Sequence, residues 1–206
     1  MPSSFNIARS PLLRLMLPLA VCAGLAVLLL GTTGCDRSCG VSGKTDAMIG
    51  GAFEAVDHHG NAISDKDLLG RYQLVFFGFT SCPDICPTEL STISTALDLL
   101  GDGAQYFQPV FATIDPARDT PAAMTEYLSH FHESFVGLTG TPEQIKDLAH
   151  VYRAYYGRSP EEMPDGGYNM DHSSLVYVMD CNGRYISHFS HGTSADQMAK
   201  RLQDLI

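Results

Sequence analysis

From residue 50 onward, the apolar and polar positions alternate between a pattern typical of strands and one typical of helices. Short runs rich in β-branched and aromatic residues predict strands, several of them buried on both faces. Stretches with apolar residues at helical spacing predict amphipathic helices. The predicted strands are Ala52–Val56, Asn61–Ser64, Gln73–Phe79, Gln108–Ile114, Phe135–Leu138, Ser174–Met179 and Arg184–Phe189. The predicted helices are Pro87–Leu100, Thr120–Phe131, Thr141–Tyr156 and Ser194–Leu205.

This order of elements predicts an α/β domain with a central mixed sheet flanked by helices. The first two strands flank a turn at Asp57–Gly60 and form an N-terminal β-hairpin. The middle strands alternate with helices and are therefore parallel, whereas Asn182-Gly183 joins the last two strands as an antiparallel hairpin. The result is the plan of a thioredoxin-like fold with extra elements. One of these is an inserted hairpin or loop that includes the irregular stretch Ser159–Gly167.

The N-terminus predicts an export or anchor signal. Arg9 and Arg14 precede an uncharged apolar run, Leu15–Leu30, that is long enough to cross a bilayer. The positive flank predicts that this end stays in the cytoplasm while the domain faces outward. The run is either a retained transmembrane anchor or a lipoprotein signal cleaved before an acylated Cys35, with an unanchored signal peptide as a third alternative.

We therefore expect three parts: the anchor or signal at 1–34, a linker at 35–49 and the thioredoxin-like domain at 50–206. All three versions of the N-terminus place the domain on the periplasmic side of a bacterial-type inner membrane, where disulfides form. The formal net charge is −10, and no acidic residue precedes Asp36. So acidic a domain repels nucleic acid, which excludes nucleic-acid binding as the expected function.

Two cysteines lie in Cys82-Pro83-Asp84-Ile85-Cys86, between a predicted central strand and the helix that follows it. Open α/β sheets place their functional sites at this end of a parallel strand. The spacing puts the two sulfurs one helical turn apart, and the N–H groups of the helix start favour thiolate. Two thiolates at one point either oxidise to a disulfide or hold a soft metal ion. A disulfide across so short a loop restricts the unfolded chain little, so we predict reactive chemistry rather than a structural cross-link.

His172 is the candidate for a third ligand. It precedes a predicted strand and follows the irregular stretch Ser159–Gly167, so it can reach a neighbouring loop. Two thiolates and one imidazole suit Cu(I), and the imidazole makes Cu(II) acceptable as well. Zinc would normally take a fourth ligand. From the residues alone, His172 is either this ligand or a histidine that is hydrogen-bonded within the fold.

Other polar residues are expected to have structural or solvent-exposed positions. His58, His59, His188 and His191 flank turns and strand ends, and we interpret them as solvated. Asp115–Asp119 follows a strand, and we interpret it first as a turn with a local Asp/Arg pair and second as part of a partner surface. Cys39 and Cys181 either pair with each other or stay free.

Four segments together resemble the Sco/SenC proteins, the copper-binding assembly factors of cytochrome c oxidase. They are Val75–Leu90, Ile114–Pro121, Gly137–Thr141 and Met170–Ser173. The resemblance covers about residues 48–206. It implies a thioredoxin-like fold, a single membrane anchor and an outward-facing domain that binds one copper ion, as Cu(I) or Cu(II), through Cys82, Cys86 and His172. It also makes Asp171 the acidic neighbour of the histidine ligand.

The resemblance implies a copper metallochaperone that receives copper from a periplasmic donor and delivers it to the dinuclear copper site of cytochrome c oxidase subunit II or to another copper protein. The alternative is a thiol–disulfide reductase in which Cys82 and Cys86 reduce the copper-ligand cysteines of that partner. These hypotheses differ at His172, because a reductase needs only the thiols. A redox or copper sensor is a third hypothesis. A peroxiredoxin-type peroxidase is disfavoured because its Pro-x3-Thr-x2-Cys pattern does not precede Cys82, so we expect a carrier rather than an enzyme.

Overall fold

The computed structural model describes residues 48–162 and 167–206. The strands are β1 (Glu54–Asp57), β2 (Ala62–Ser64), β3 (Tyr72–Gly78), β4 (Phe107–Thr113), β5 (Val136–Thr139), β6 (Tyr156–Glu162), β7 (Tyr168–His172), β8 (Leu175–Met179) and β9 (Tyr185–Ser190). The α-helices are α1 (Ile85–Leu100), α2 (Pro121–Leu128), α3 (Pro142–Tyr152) and α4 (Ala195–Gln203), and short 3₁₀ helices span Asp65–Leu68 and Gly101–Tyr106. The predicted anchor or signal at 1–34 and nearly all of the predicted linker lie outside the described residues.

Seven strands form one mixed sheet in the order β2-β1-β5-β4-β3-β8-β9. Strands β3, β4 and β5 run parallel, whereas β8 pairs antiparallel with β3, and β9 antiparallel with β8. The N-terminal hairpin of β1 and β2 extends the other edge through an antiparallel pairing with β5. The predicted mixed sheet, with its parallel centre and closing hairpin, is confirmed.

The central strands form the core because their side chains are apolar on both faces. Every residue of β3 and of β4 is buried. Successive residues of a strand point to opposite faces, and Phe76 stacks on Phe111 on one face while Phe77 packs against Tyr152 and Tyr177 on the other. This buried centre fixes the position of the strand end at Gly78, from which the cysteine loop departs.

Two helices are shorter than their apolar patterns predict. Helix α2 begins at Pro121 after the N-cap Thr120, whose side chain accepts from the Ala123 N–H. It ends at Leu128 rather than near Phe131. Helix α3 ends at Tyr152 rather than at Tyr156, because Arg153 adopts a left-handed conformation with φ of 54° and caps the helix. Within residues 48–162 and 167–206, no helix is both long and apolar enough to span a membrane.

The inserted element is a second, two-stranded sheet of β6 and β7. Its register runs from Tyr156 opposite His172 to Glu162 opposite Tyr168, with a shift in between. The interpretation of Ser159–Gly167 as irregular is therefore wrong for its first part, because β6 continues to Glu162. It follows that His172 is the last residue of a strand rather than a loop residue before one.

Candidate metal centre

The cysteine loop connects β3 to α1 at the carboxyl end of the central strand. The Cys82 N–H donates to the carbonyl of Phe79 (3.2 Å), and Cys86 lies in the first turn of α1. Both are free thiols, but Cys86 is fully buried while Cys82 is half-buried. Packing of Cys86 against the strand requires Gly78, because a Cβ on Gly78 would lie 2.8 Å from the Cys86 Sγ.

His172 approaches the sulfurs from the β6–β7 hairpin. Its Nε2 lies 3.6 Å from the Cys86 Sγ, and its ring packs edge-on against Phe76 and Phe79 with centroid separations of 5.8 and 6.1 Å. The Nδ1 lies 3.2 Å from the carbonyl oxygen of Ser173. A carbonyl can only accept, so it holds a hydrogen on Nδ1 and turns Nε2 toward the sulfurs. There, a neutral ring offers its lone pair to a metal ion, and a protonated ring donates to a thiolate.

The three side chains converge on one point. The ligand atoms of Cys82, Cys86 and His172 all lie within 4.8 Å of one another. Two ligand atoms of one metal ion lie at most about 4.6 Å apart, taking about 2.3 Å for a metal–sulfur bond. A small inward movement would therefore suffice to bring all three onto one ion. Two sulfurs and one imidazole nitrogen form the donor set that copper prefers.

The pKa values of the two thiols are shifted in opposite directions. A hydrogen bond from the Cys86 thiol lowers the pKa of Cys82 to about 4. The His172 ring and the backbone N–H groups of Asp84 and Cys86 act in the same direction, while burial opposes them. Donation of that hydrogen bond, together with burial, raises the pKa of Cys86 above its ordinary range. Cys82 is therefore the accessible thiolate, and Cys86 is the buried thiol that supports it.

Buried polar groups surround this site. Asp119 is fully buried, and its carboxylate accepts from the N–H and hydroxyl of Thr80 and from the hydroxyl of Thr113. Burial raises the pKa of Asp119, although these hydrogen bonds oppose the rise. Burial also raises the pKa of Tyr127, and the negative charge of the Cys82 thiolate adds to the increase. No local sequence pattern points to Tyr127, because only the tertiary structure brings α2 close to the thiols.

The model of the family described as SCO1/SenC matches residues 41–206. The chain belongs to this family. An SCO2-like protein of Rickettsia conorii is 43% identical over 161 residues, which cover 78% of each chain. The mitochondrial protein SCO1 of Saccharomyces cerevisiae is 38% identical over 165 residues, covering 77% of this chain and 55% of its own length. The family is the one whose motifs the cysteine and histidine segments resemble.

Solved structures of family members agree with the fold. ScoI of Bradyrhizobium japonicum, solved with copper bound, is 42% identical with a TM-score of 0.70 over 77% of this chain and 99% of its own. Yeast Sco1, also solved with copper bound, is 38% identical with a TM-score of 0.70 over 76% and 87% of the two chains. BsSco, described as a member of the Sco family of cytochrome c oxidase assembly proteins, has 17% identity and a TM-score of 0.58, which shows the fold alone.

The remaining histidines do not join this cluster. Within the described residues, the two cysteines and His172 form the one group of three His, Cys, Asp or Glu side chains close enough to share a metal ion. His58, interpreted as solvated, is partly buried, and its Nδ1 lies 3.1 Å from the Gly137 N–H. His188 and His191 are exposed as expected, but they contact the Tyr185 hydroxyl (2.6 Å) and the Glu89 carboxylate (3.2 Å).

Two further expectations from the sequence concern Cys181 and Arg118. Cys181 is disulfide-bonded, which excludes the alternative of a free thiol there. Cys39, which is its partner in the other alternative, lies outside the described residues. The predicted local Asp/Arg pair is present between Asp115 and Arg118. Arg118 also reaches beyond its own turn to Tyr168, a contact that the sequence does not reveal.

Proposed function

We propose that this chain is a copper metallochaperone that holds one copper ion through Cys82, Cys86 and His172. It delivers that ion to the dinuclear copper site of cytochrome c oxidase subunit II after receiving it from a periplasmic donor. The domain works on the outer side of the membrane, tethered by the N-terminal segment or by an acylated Cys35. The SCO1/SenC family match supports an oxidase copper site as the destination.

One observation carries the assignment: the His172 Nε2 faces the Cys86 Sγ at 3.6 Å although 86 residues separate them in sequence. A dithiol reductase needs no metal ligand at this position, and for it the imidazole would only help to lower the pKa of Cys82. A copper carrier gains a third ligand that raises affinity and accepts both Cu(I) and Cu(II). The two relatives solved with copper bound, at 42% and 38% identity, support the same function.

The unequal exposure of the sulfurs suits transfer of the ion. Cys86 is buried at the base of the site, whereas Cys82 is partly accessible at its mouth. A thiolate of the partner can approach copper beside Cys82, and copper then passes by exchange of one ligand at a time. Low coordination keeps a position open for the incoming ligand, so the ion never needs to be released into water.

The test is the Cu(I) affinity of the purified, reduced full-length chain, measured by anaerobic competition with a chelator. We expect one tightly bound ion per chain, and at least tenfold weaker binding (about 1.4 kcal/mol) in His172→Ala. The double variant Cys82→Ser/Cys86→Ser measures the background from the other cysteines. If wild type and His172→Ala bind alike, His172 is not a ligand.

A thiol–disulfide reductase is the second candidate, and the difference between the two thiols favours it. Cys82, with its pKa of about 4, would attack a disulfide of the partner and form a mixed disulfide. Cys86 would lose its proton and displace the partner sulfur, which leaves a Cys82–Cys86 disulfide and two reduced cysteines on the partner. This reaction needs no imidazole ligand. An unchanged Cu(I) affinity in His172→Ala would therefore make the reductase the better assignment.

A further inference from the structure

The hairpin that carries His172 does not pair with the main sheet, although β8 of that sheet begins at Leu175, three residues after His172. The β6–β7 hairpin forms a separate two-stranded sheet, whereas the cysteine loop extends directly from β3 of the seven-stranded sheet. An isolated two-stranded hairpin is at best marginally stable in water. Other contacts must therefore hold the hairpin in place and aim the imidazole at the sulfurs.

Tyr168, the first residue of β7, makes contacts of this kind. Its carbonyl accepts a hydrogen bond of 3.0 Å from the Arg118 Nη1. Its ring lies under the same guanidinium, 3.9 Å from the Arg118 Cζ to the ring centroid. Its hydroxyl donates to the Asp115 Oδ1 over 2.8 Å. Three different parts of one residue are thus attached to two residues of the turn that follows β4.

Arg118 is itself held in place. It forms an ion pair with Asp115, which is 4% exposed. Its Cζ also lies 5.6 Å from the centroid of Phe79, the residue that follows β3. Phe79 in turn packs edge-on against the His172 ring. One guanidinium therefore contacts both the start of the strand that carries His172 and an aromatic ring that touches His172.

The turn Asp115–Asp119, which we call the bridging segment, is also attached to the cysteine loop. Asp119 at its end accepts from the Thr80 N–H (3.1 Å) and from the Thr80 hydroxyl, two residues before Cys82. The bridging segment therefore contacts both regions that contribute ligand atoms: the cysteine loop through Asp119 and the hairpin through Arg118. Its charged residues therefore connect the cysteine loop to the hairpin.

We propose that Arg118 and Tyr168 are positioning residues that clamp the β6–β7 hairpin to the bridging segment and so hold His172 over the two cysteines. The effect on copper rests on the proposed ligand role of His172, whereas the clamp itself does not. Neither residue belongs to the group of three side chains that could hold a metal ion. Their contribution to copper binding passes entirely through the imidazole, and this sets it apart from a general effect on stability.

The chain offers a matched control in Arg158. Its Cζ lies 4.2 Å from the centroid of the same Tyr168 ring, so both arginines stack on one aromatic side chain. Arg158, however, lies on β6, within the hairpin itself. Stacking by Arg158 stays within the hairpin, whereas Arg118 is the arginine that ties the hairpin to the bridging segment, beside the Tyr168–Asp115 hydrogen bond. Exchanging either arginine for lysine keeps the charge and removes the planar, forked group.

The first experiment is a double-mutant cycle on Cu(I) affinity with the reduced full-length chain. We expect Arg118→Lys and Tyr168→Leu to weaken binding at least about fivefold in the wild-type background. In the His172→Ala background, the same changes should alter affinity less than about twofold. Arg158→Lys should stay within about twofold in both backgrounds. An equal loss with and without His172 would overturn the positioning role.

The second experiment uses no metal. Amide hydrogen exchange of the apo protein should accelerate at least about tenfold over residues 168–172 in Arg118→Lys, with β3 unchanged. Unchanged exchange in the hairpin would overturn the clamp. If His172→Ala leaves Cu(I) affinity intact while Arg118→Lys still accelerates exchange, the ligand assignment is wrong and the clamp stands. Faster exchange in β3 as well would overturn the proposal, because Arg118 would then support the whole fold.

Discussion

The cysteine loop and the β6–β7 hairpin face each other across the candidate metal centre, but they are held in very different ways. The loop extends from β3, every residue of which is buried, and continues into the 16-residue helix α1. The hairpin belongs to a two-stranded sheet whose β7 residues are half-buried or exposed. The sulfurs are thus fixed by the core of the domain, whereas the imidazole is held by its short connection to β8, by ring packing on Phe76 and Phe79 and by the contacts of Tyr168.

The unequal support of the two regions would allow a carrier to bind a metal ion and still release it. Local openings cost least where few apolar contacts are buried, so the hairpin can open at a lower free energy than the cysteine loop. Opening of the hairpin would remove one ligand while the two sulfurs keep the ion. We therefore expect the loop to control thiol chemistry and stability and the hairpin to add only a ligand.

The largest expected effect concerns the ionisation of Cys82. The folded-state pKa of about 4 lies below the ordinary value of about 8.5. The thiolate therefore stabilises the fold fully above the ordinary pKa, and this contribution is lost as the pH falls through the folded-state value. The rate at which iodoacetamide alkylates Cys82, followed by peptide mass spectrometry, should stay constant from about pH 8 to 6. It should fall to half of that value near pH 4. An ordinary thiol would be only about 0.3% thiolate at pH 6.

The pH dependence of Cys82 alkylation, measured in variants, compares the contributions of the cysteine loop and the β6–β7 hairpin. Cys86→Ala removes the hydrogen bond that lowers the Cys82 pKa most, so the midpoint should rise by at least about two pH units. His172→Ala removes a weaker contribution from the hairpin and should raise the midpoint less. A larger shift in His172→Ala than in Cys86→Ala would show that the hairpin, not the loop, controls the thiolate.

The next effect concerns the stability of the two regions and uses a matched pair of glycines. A Cβ on Gly78 of β3 would lie 2.8 Å from both the Cys86 Sγ and the Phe111 ring, in a packed core. A Cβ on Gly157 of β6 would meet nothing closer than the Tyr155 hydroxyl at 3.5 Å. We expect Gly78→Ala to lower the free energy of unfolding by about 1–3 kcal/mol, because overpacked cores must shift. Gly157→Ala should change it by less than about 0.5 kcal/mol.

The free energy of unfolding of both variants is measured by urea denaturation. The comparison holds when the m-value is the same as in the wild type. Gly78→Ala should also weaken Cu(I) binding, because relief of the contact displaces the Cys86 sulfur. If Gly157→Ala destabilises the protein as much as Gly78→Ala does, the hairpin is part of the cooperative core and the contrast between the two regions is wrong.

The same contrast explains which features the sequence predicts. The cysteine loop is a local signal: a buried apolar run, two cysteines at a helix start and an amphipathic helix follow one another within Gln73–Leu100. Its place at the end of β3 follows from that pattern alone. His172 is 86 residues away from Cys86, and the residues alone left it open as a ligand; only the family resemblance assigned it.

Strand β6 and the clamp were missed for a physical reason. Pro160, Pro164 and the acidic residues beside them predict an irregular stretch at Ser159–Gly167, because none favours a strand. The strand exists because β7 pairs with it and because Tyr168 stacks on Arg118 and Arg158. The spacing of Asp115 and Arg118 predicts their local pair, but the tertiary contact from Arg118 to Tyr168 has no counterpart in any local pattern.

The smallest effect is expected at Asp171, next to His172 on the hairpin. Its side chain is exposed, and successive residues of a strand point to opposite faces, so the carboxylate lies on the face away from the imidazole. An exposed charge contributes about 0.2–1 kcal/mol, so Asp171→Asn should weaken Cu(I) binding less than about fivefold. The effect should shrink further in high salt, which screens exposed charges. His172→Ala in the same titration provides the scale. A loss in Asp171→Asn as large as in His172→Ala, and independent of salt, would mean that the carboxylate acts within the site and that the hairpin contributes more than one ligand.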